Sequence, residues 1–142
     1  MTTNQLKEFL DPYVERFNRA EFIAPDPISV PHRFSKKQDI EIAGLMAAVF
    51  AWGNRTTIIR KSIEFLKLMD HAPHDFLLHH SPGDLKAFER FVHRTFQPTD
   101  ALYFIDFLSR YYRANESLED LFLPGMGTEV GLTNFHNQFF GS

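Results

Sequence analysis

Between Glu41 and Arg55 the chain carries no charged residue. Ile42, Ala43, Leu45, Met46, Ala47, Ala48, Val49, Phe50, Ala51 and Trp52 occupy most of that interval, so a helix there is apolar nearly all the way round. Such a helix has no wet face to offer and has to be enclosed on several sides. It also falls well short of the ~20 apolar residues that cross a bilayer. The stretch from about Lys36 to Trp52 therefore predicts the buried central helix of a compact, multi-helix orthogonal bundle, all-α in class.

The flanking sequence supplies helices to surround it. Leu6, Phe9, Leu10, Tyr13, Val14 and Phe17 recur at three- and four-residue steps and predict an amphipathic helix, against the objection of Pro12, which removes a donor and crowds the preceding turn. Prolines 25, 27 and 31 make residues 24–32 an extended connector, anchored by Ile28 and Val30, with His32 and Arg33 turned outward. Ser35 is the expected cap of the central helix, and Asp39 and Glu41 sit where acids favour the positive end of its dipole. Gly53 is placed to end that helix in the left-handed conformation, and Asn54 to cap the next one. The second helix is expected to bury Ile58, Ile59, Ile63, Leu66 and Met69 and to turn Arg60, Lys61, Glu64 and Lys67 outward.

Beyond it, Pro73 starts a short helix through Phe76, Leu77 and Leu78, and Ser81, Pro82 and Asp84 open another carrying Leu85, Phe88 and Phe91. Pro98 and Asp100 begin a longer helix with Leu102, Ile105, Leu108 and Tyr112, and Ser117-Leu118-Glu119-Asp120 reads as a capping box before Leu121 and Phe122. After the flexible Pro124-Gly125-Met126-Gly127, a last helix carries Leu132, Phe135, Phe139 and Phe140. No strand pattern or internal repeat interrupts this series, which reads as one domain over residues 1–142.

Sixteen Phe residues supply a core that asks for no hydrogen-bond partners. The absence of cysteine excludes disulfides, thiolate metal cages and thiol nucleophiles. Met1-Thr2-Thr3-Asn4-Gln5 lacks the basic and apolar regions of a secretory signal, so the cytoplasm is the expected compartment and no membrane partner is expected. A net charge of −3 argues against nucleic-acid binding by the whole surface and leaves room only for a local basic patch.

His71, His74, His79, His80 and His93 fall close together in sequence, but they lack a His-Glu-x-x-His run and a cysteine partner, so solvated side chains explain them better than a metal. No nucleophile elbow, phosphate loop or dinucleotide fingerprint is present; no catalytic residue and no cofactor is assigned. The turn Trp52-Gly53-Asn54-Arg55 is the candidate functional surface. The N–H groups of Arg55, Thr56 and Thr57 would open a helix unpaired, beside the Arg55 guanidinium and two hydroxyls, which suits an anion. Arg60 and Lys61 add positive field, and an exposed Trp52 offers a stacking platform for a base. The plainer reading explains the turn better: Gly53 and Asn54 cap helices and Trp52 fills the core.

At Asp26-Pro27-Ile28-Ser29-Val30-Pro31-His32, Asp39-Ile40-Glu41-Ile42-Ala43, Ala51-Trp52-Gly53-Asn54-Arg55, Phe91-Val92-His93-Arg94 and Ser117-Leu118-Glu119-Asp120-Leu121-Phe122 the chain resembles an uncharacterised bacterial family, a domain of unknown function. Longer members of that family look like distant relatives of the helix-hairpin-helix DNA glycosylases. The resemblance implies an all-helical fold, a DNA-repair ancestry and a turn from Trp52 to Arg55 near DNA. The catalytic parts of such glycosylases lie in their second half, so this chain resembles an N-terminal portion and no residue inherits a catalytic role; Arg94 and Asp100 acquire none either. The expected function is DNA binding without catalysis. The alternatives are a self-association or protein-interaction module using an exposed apolar C-terminal helix, Leu132 to Phe140, and a small-molecule pocket beside Trp52.

Overall fold

Residues Lys37–Val49 form the helix that the uncharged stretch predicts, here named α2, and the other elements are best placed relative to it. The computed structural model describes residues 2–17, 26–123 and 125–141; Ala24, Pro25 and Pro124, which the sequence assigns to connectors, lie outside them. The remaining α-helices are α1 (Thr3–Phe17), α3 (Arg55–Leu68), α4 (Pro73–His79), α5 (Pro98–Ala114) and α6 (Thr128–Phe140). Short 3₁₀ turns occupy Pro27–Ser29, Pro31–Arg33, Pro82–Phe88 and Leu118–Phe122. Among the described residues there is no strand, only one isolated bridge between His93 and Phe96. The chain is all-α, as the patterning predicts, and no helix among the described residues is long and apolar enough to cross a membrane.

Burial of α2 is less complete than its composition predicts. Ile42, Ala43, Met46 and Ala47 are enclosed by α3, α4 and the Pro31–Arg33 turn. The flank carrying Ile40, Gly44, Leu45 and Ala48 instead floors an open apolar groove of ≈ 660 Å³, walled by Leu118, Phe122, Leu132 and Phe135. The helix also ends three residues earlier than Trp52, with Phe50 as its C-terminal cap.

Phe50 is the centre of the aromatic core. Its ring meets Phe65, Phe91 and Phe96 at centroid distances of 5.5, 5.4 and 4.9 Å, joining the end of α2 to α3 and to the segment before α5. Edge-to-face packing of this kind adds to the area term, and truncating such a ring to Ala costs about 3–5 kcal/mol. A second aromatic group, Phe104, Phe107, Phe135 and Phe139, fastens α6 to α5. Gly131 brings α6 so close to the Leu118–Phe122 turn that a β-carbon there would overlap the Phe122 carbonyl oxygen.

Several local expectations are corrected. Ser35 does not cap α2; the cap position is Lys36, with no side-chain bond to the first turn. Residues 26–33 are not an extended connector but two 3₁₀ turns, the first capped by Asp26 through the Ile28 N–H, and Val30 is buried while Ile28 is exposed. α1 runs through Pro12, yet its stripe of Leu6, Phe9, Leu10, Tyr13 and Val14 is exposed. On α3 the buried positions are Ile58, Ser62, Phe65 and Leu66, with Met69 just beyond, whereas Ile59 and Ile63 are only half-buried. Leu102 faces outward from α5. Phe139 is turned into the core, so the exposed apolar surface of α6 is carried by Val130, Leu132 and Phe140.

Asp39 and Glu41 do more than offset the dipole of their own helix. Asp39 accepts the backbone N–H of His74 at 2.9 Å and so caps the first turn of α4. Glu41 accepts the Tyr112 hydroxyl at 2.8 Å, the Ser117 hydroxyl at 2.6 Å and the Leu118 N–H at 2.9 Å, tying α2 to α5 and to the 3₁₀ turn. Burial and the Glu41 carboxylate push the Tyr112 phenol far up, so it stays a donor.

His74 sits against this network, its ring 5.0 Å from that of Tyr112 and its Nδ1 buried without a hydrogen-bond partner. Desolvation first, then Lys36, lowers its pKa below 6.5, outweighing the opposite pull of Asp39, Asp75 and Glu41. Below that pH the unfolded chain binds the proton more readily than the folded one, so stability falls as pH drops through the window just under 6.5. Urea unfolding of His74→Gln is expected to show a shallower loss of stability across that window than the parent; parallel pH profiles would show that His74 is not the responsible group.

Candidate nucleic-acid interface

The turn after α2 is shaped by one carbonyl. Phe50 O accepts the Trp52 N–H at 2.7 Å and lies 2.9 Å from His93 Nε2, which must carry the hydrogen because a carbonyl can only accept. His93 is buried, and the bridge that it forms with Phe96 closes a tight loop with Arg94 and Thr95 at its tip. Anchoring the two segments to the same oxygen sets them side by side.

Two left-handed residues meet where they touch. Gly53 has φ +93° and Arg94 has φ +56°, an uncommon conformation for a residue with a side chain. The Arg94 guanidinium rests directly on Gly53, in the space that a β-carbon would fill. Gly53 is thus needed twice, for its backbone angle and for its lack of a side chain. Trp52 is 66% exposed beside it.

The other expected site residues divide into two groups. Asn54 caps α3, its Oδ1 accepting from Thr56 N at 2.8 Å and Thr57 N at 3.4 Å. Those two N–H groups are therefore not free for an anion, contrary to the sequence expectation, because the cap already satisfies them. Lys61 is not a free cation either: its ammonium is 3.2 Å from Glu64 and 5.3 Å from the centre of the Phe91 ring. Arg55 and Arg60 are exposed and make no ion pair among the described residues. Arg94, to which the sequence assigns no role, is exposed, unpaired among the described residues and next to Trp52.

Arg94 and His93 were illegible as site members because nothing local distinguishes a loop arginine that will seat on a distant glycine. The histidines as a set also depart from expectation. His71 and His79 are exposed, but His93 is buried in the core and His74 and His80 are half-buried. No group of three or more His, Asp or Glu side chains converges into a metal-binding set among the described residues.

The hollow beside Trp52, bounded by His93, Arg94, Phe96 and Asp100, has a volume of ≈ 140 Å³. That is well below the ~300–1,000 Å³ of ordinary small-molecule pockets. Asp100 takes no part in an ion pair there; its Oδ2 accepts the Gln97 N–H at 2.8 Å and starts α5.

The family model described as "Protein of unknown function (DUF2400)" matches residues 26–141. The chain belongs to this family. Comparison with curated proteins and with solved structures finds no match. The family match spans the whole site, from the connector before α2 through α6, and includes both halves of the Gly53–Arg94 contact.

Replacing Gly53 with Ala is expected to cost about 1–3 kcal/mol through left-handed strain, plus the displacement of Arg94. In an Arg94→Ala background the same change should cost less in urea unfolding, since only the strain remains. Equal losses in both backgrounds would show that the guanidinium does not rest on Gly53.

Proposed function

We propose that this chain binds nucleic acid, and DNA in particular, through the surface made by Trp52, Gly53, Arg55, Arg60 and Arg94, without being catalytic by itself. The observation that carries the reading is an exposed indole beside the Arg94 guanidinium, with Arg55 and Arg60 also exposed and none of the three in an ion pair among the described residues. Guanidinium groups bind phosphate by paired hydrogen bonds, and an indole face takes a base by stacking. The net charge of −3 is not an obstacle to a local field, because Arg55, Arg60 and Arg94 are exposed and none is in an ion pair among the described residues. The sequence resemblance to helix-hairpin-helix DNA glycosylases points the same way. In this reading Thr56, Thr57 and Lys61 support the turn rather than touch the ligand.

Fluorescence anisotropy with a labelled DNA oligonucleotide, tested as a strand and as a duplex, provides the test. Binding is expected at about 50 mM salt and to weaken as salt rises. Arg55→Ala and Arg94→Ala should each lower affinity and reduce the salt slope by about one, with Lys61→Ala nearly neutral. No binding of either form at low salt would sink the reading.

The groove on α2 favours a second reading, in which the chain associates with its own copy or with a partner protein. Its walls are almost wholly apolar, and Leu132, exposed on its α6 side, would gain from being covered. Sedimentation should then show a concentration-dependent dimer that Leu132→Asp abolishes with helicity kept. A strict monomer at high concentration counts against it.

A further inference from the structure

A second hollow adjoins the one beside Trp52. Phe96 and Asp100 line both, the second being a larger aromatic groove of ≈ 620 Å³ that Tyr103, Phe139 and Phe140 also line. Phe140 is 65% exposed even though its ring packs on His136 at 4.8 Å and on Phe139 at 4.9 Å. Tyr103 is held in place by donating its hydroxyl to the Phe139 carbonyl. Two exposed rings, Trp52 and Phe140, thus line two adjoining hollows that have Phe96 and Asp100 in common and together form a strip.

We infer that this strip takes a single strand of nucleic acid, with one base on Trp52 and a second in the groove beside Phe140. The inference rests on the nucleic-acid reading above and adds the strandedness of the ligand. In a duplex, neighbouring base pairs cover one another's faces, so an aromatic side chain finds no free base face to stack on. A strand with unstacked bases offers a π-face at each nucleotide, whatever the sequence. The charges fix which side of the strand faces inward. Asp100 lines both hollows and repels phosphate, while Arg94 lines the Trp52 hollow alone and attracts it. The backbone therefore runs along the arginine side and the bases point toward Phe96 and Asp100.

Trp52 is the only tryptophan in the chain, so its emission reports on the proposed contact directly. The experiment titrates the full chain at low salt with a mixed-sequence eight-nucleotide DNA strand and, separately, with that strand annealed to its complement. The strand is expected to bind at least about tenfold more tightly than the duplex and to quench Trp52. Phe140→Ala, shown by circular dichroism to keep its helicity, should weaken strand binding about fivefold or more while leaving duplex binding unchanged. Equal affinity for strand and duplex overturns the inference and leaves the nucleic-acid reading standing. So does a Phe140→Ala variant that binds as the parent does where Arg94→Ala weakens binding. Failure of both probes to bind overturns the nucleic-acid reading, and this inference with it.

Discussion

Phe50 holds the molecule together at the point where its function is proposed to lie. The side chain packs among Phe65, Phe91 and Phe96, and the main-chain oxygen of the same residue takes hydrogen bonds from Trp52 and His93. Burying a ring without polar atoms secures the end of α2, and the carbonyl, which would otherwise be stranded at a helix terminus, is satisfied by the two segments that form the site. The exposed Trp52 surface is therefore built on a fully buried part of the core. A packed support of that kind holds an exposed aromatic ring and a loop arginine around one hollow.

Much of the helical framework was legible because its signals are local. Asn54 before α3, the Ser81 and Asp84 pair, and Pro98 with Asp100 all act within three residues of the groups they satisfy, so a short window contains both partners. The same reasoning failed for Ser35, where a suitable residue lies one position outside the cap. It also failed for Asp39 and Glu41, whose own helix explains them well enough to hide their real partners. An acid early in a helix looks finished as a dipole partner; only the packed fold reveals that it satisfies donors elsewhere.

The site was half legible for the same reason. Trp52, Gly53 and Arg55 stand out as a turn between two strong helical patterns, but the sequence favours a Trp52 in the core, whereas the structure exposes both Trp52 and Arg55. What the sequence could not supply is Arg94, because no periodicity links it to Gly53. The consequence is a change in chemistry: the free N–H groups of a helix end are occupied by Asn54, and the positive character passes to two side chains from separate elements.

The caps donated by α2 have a bearing on how the chain reaches this structure. Asp39 serves a helix 35 residues further on, and Glu41 a turn 77 residues further on. Neither α4 nor the Leu118–Phe122 turn can complete its first hydrogen bonds from its own neighbourhood alone. Each therefore gains its full stability only after α2 has docked, which makes their ordering conditional on a distant event. Contacts of that range slow the search for the native state but couple its parts, so the helices are expected to melt together with α2 rather than one by one.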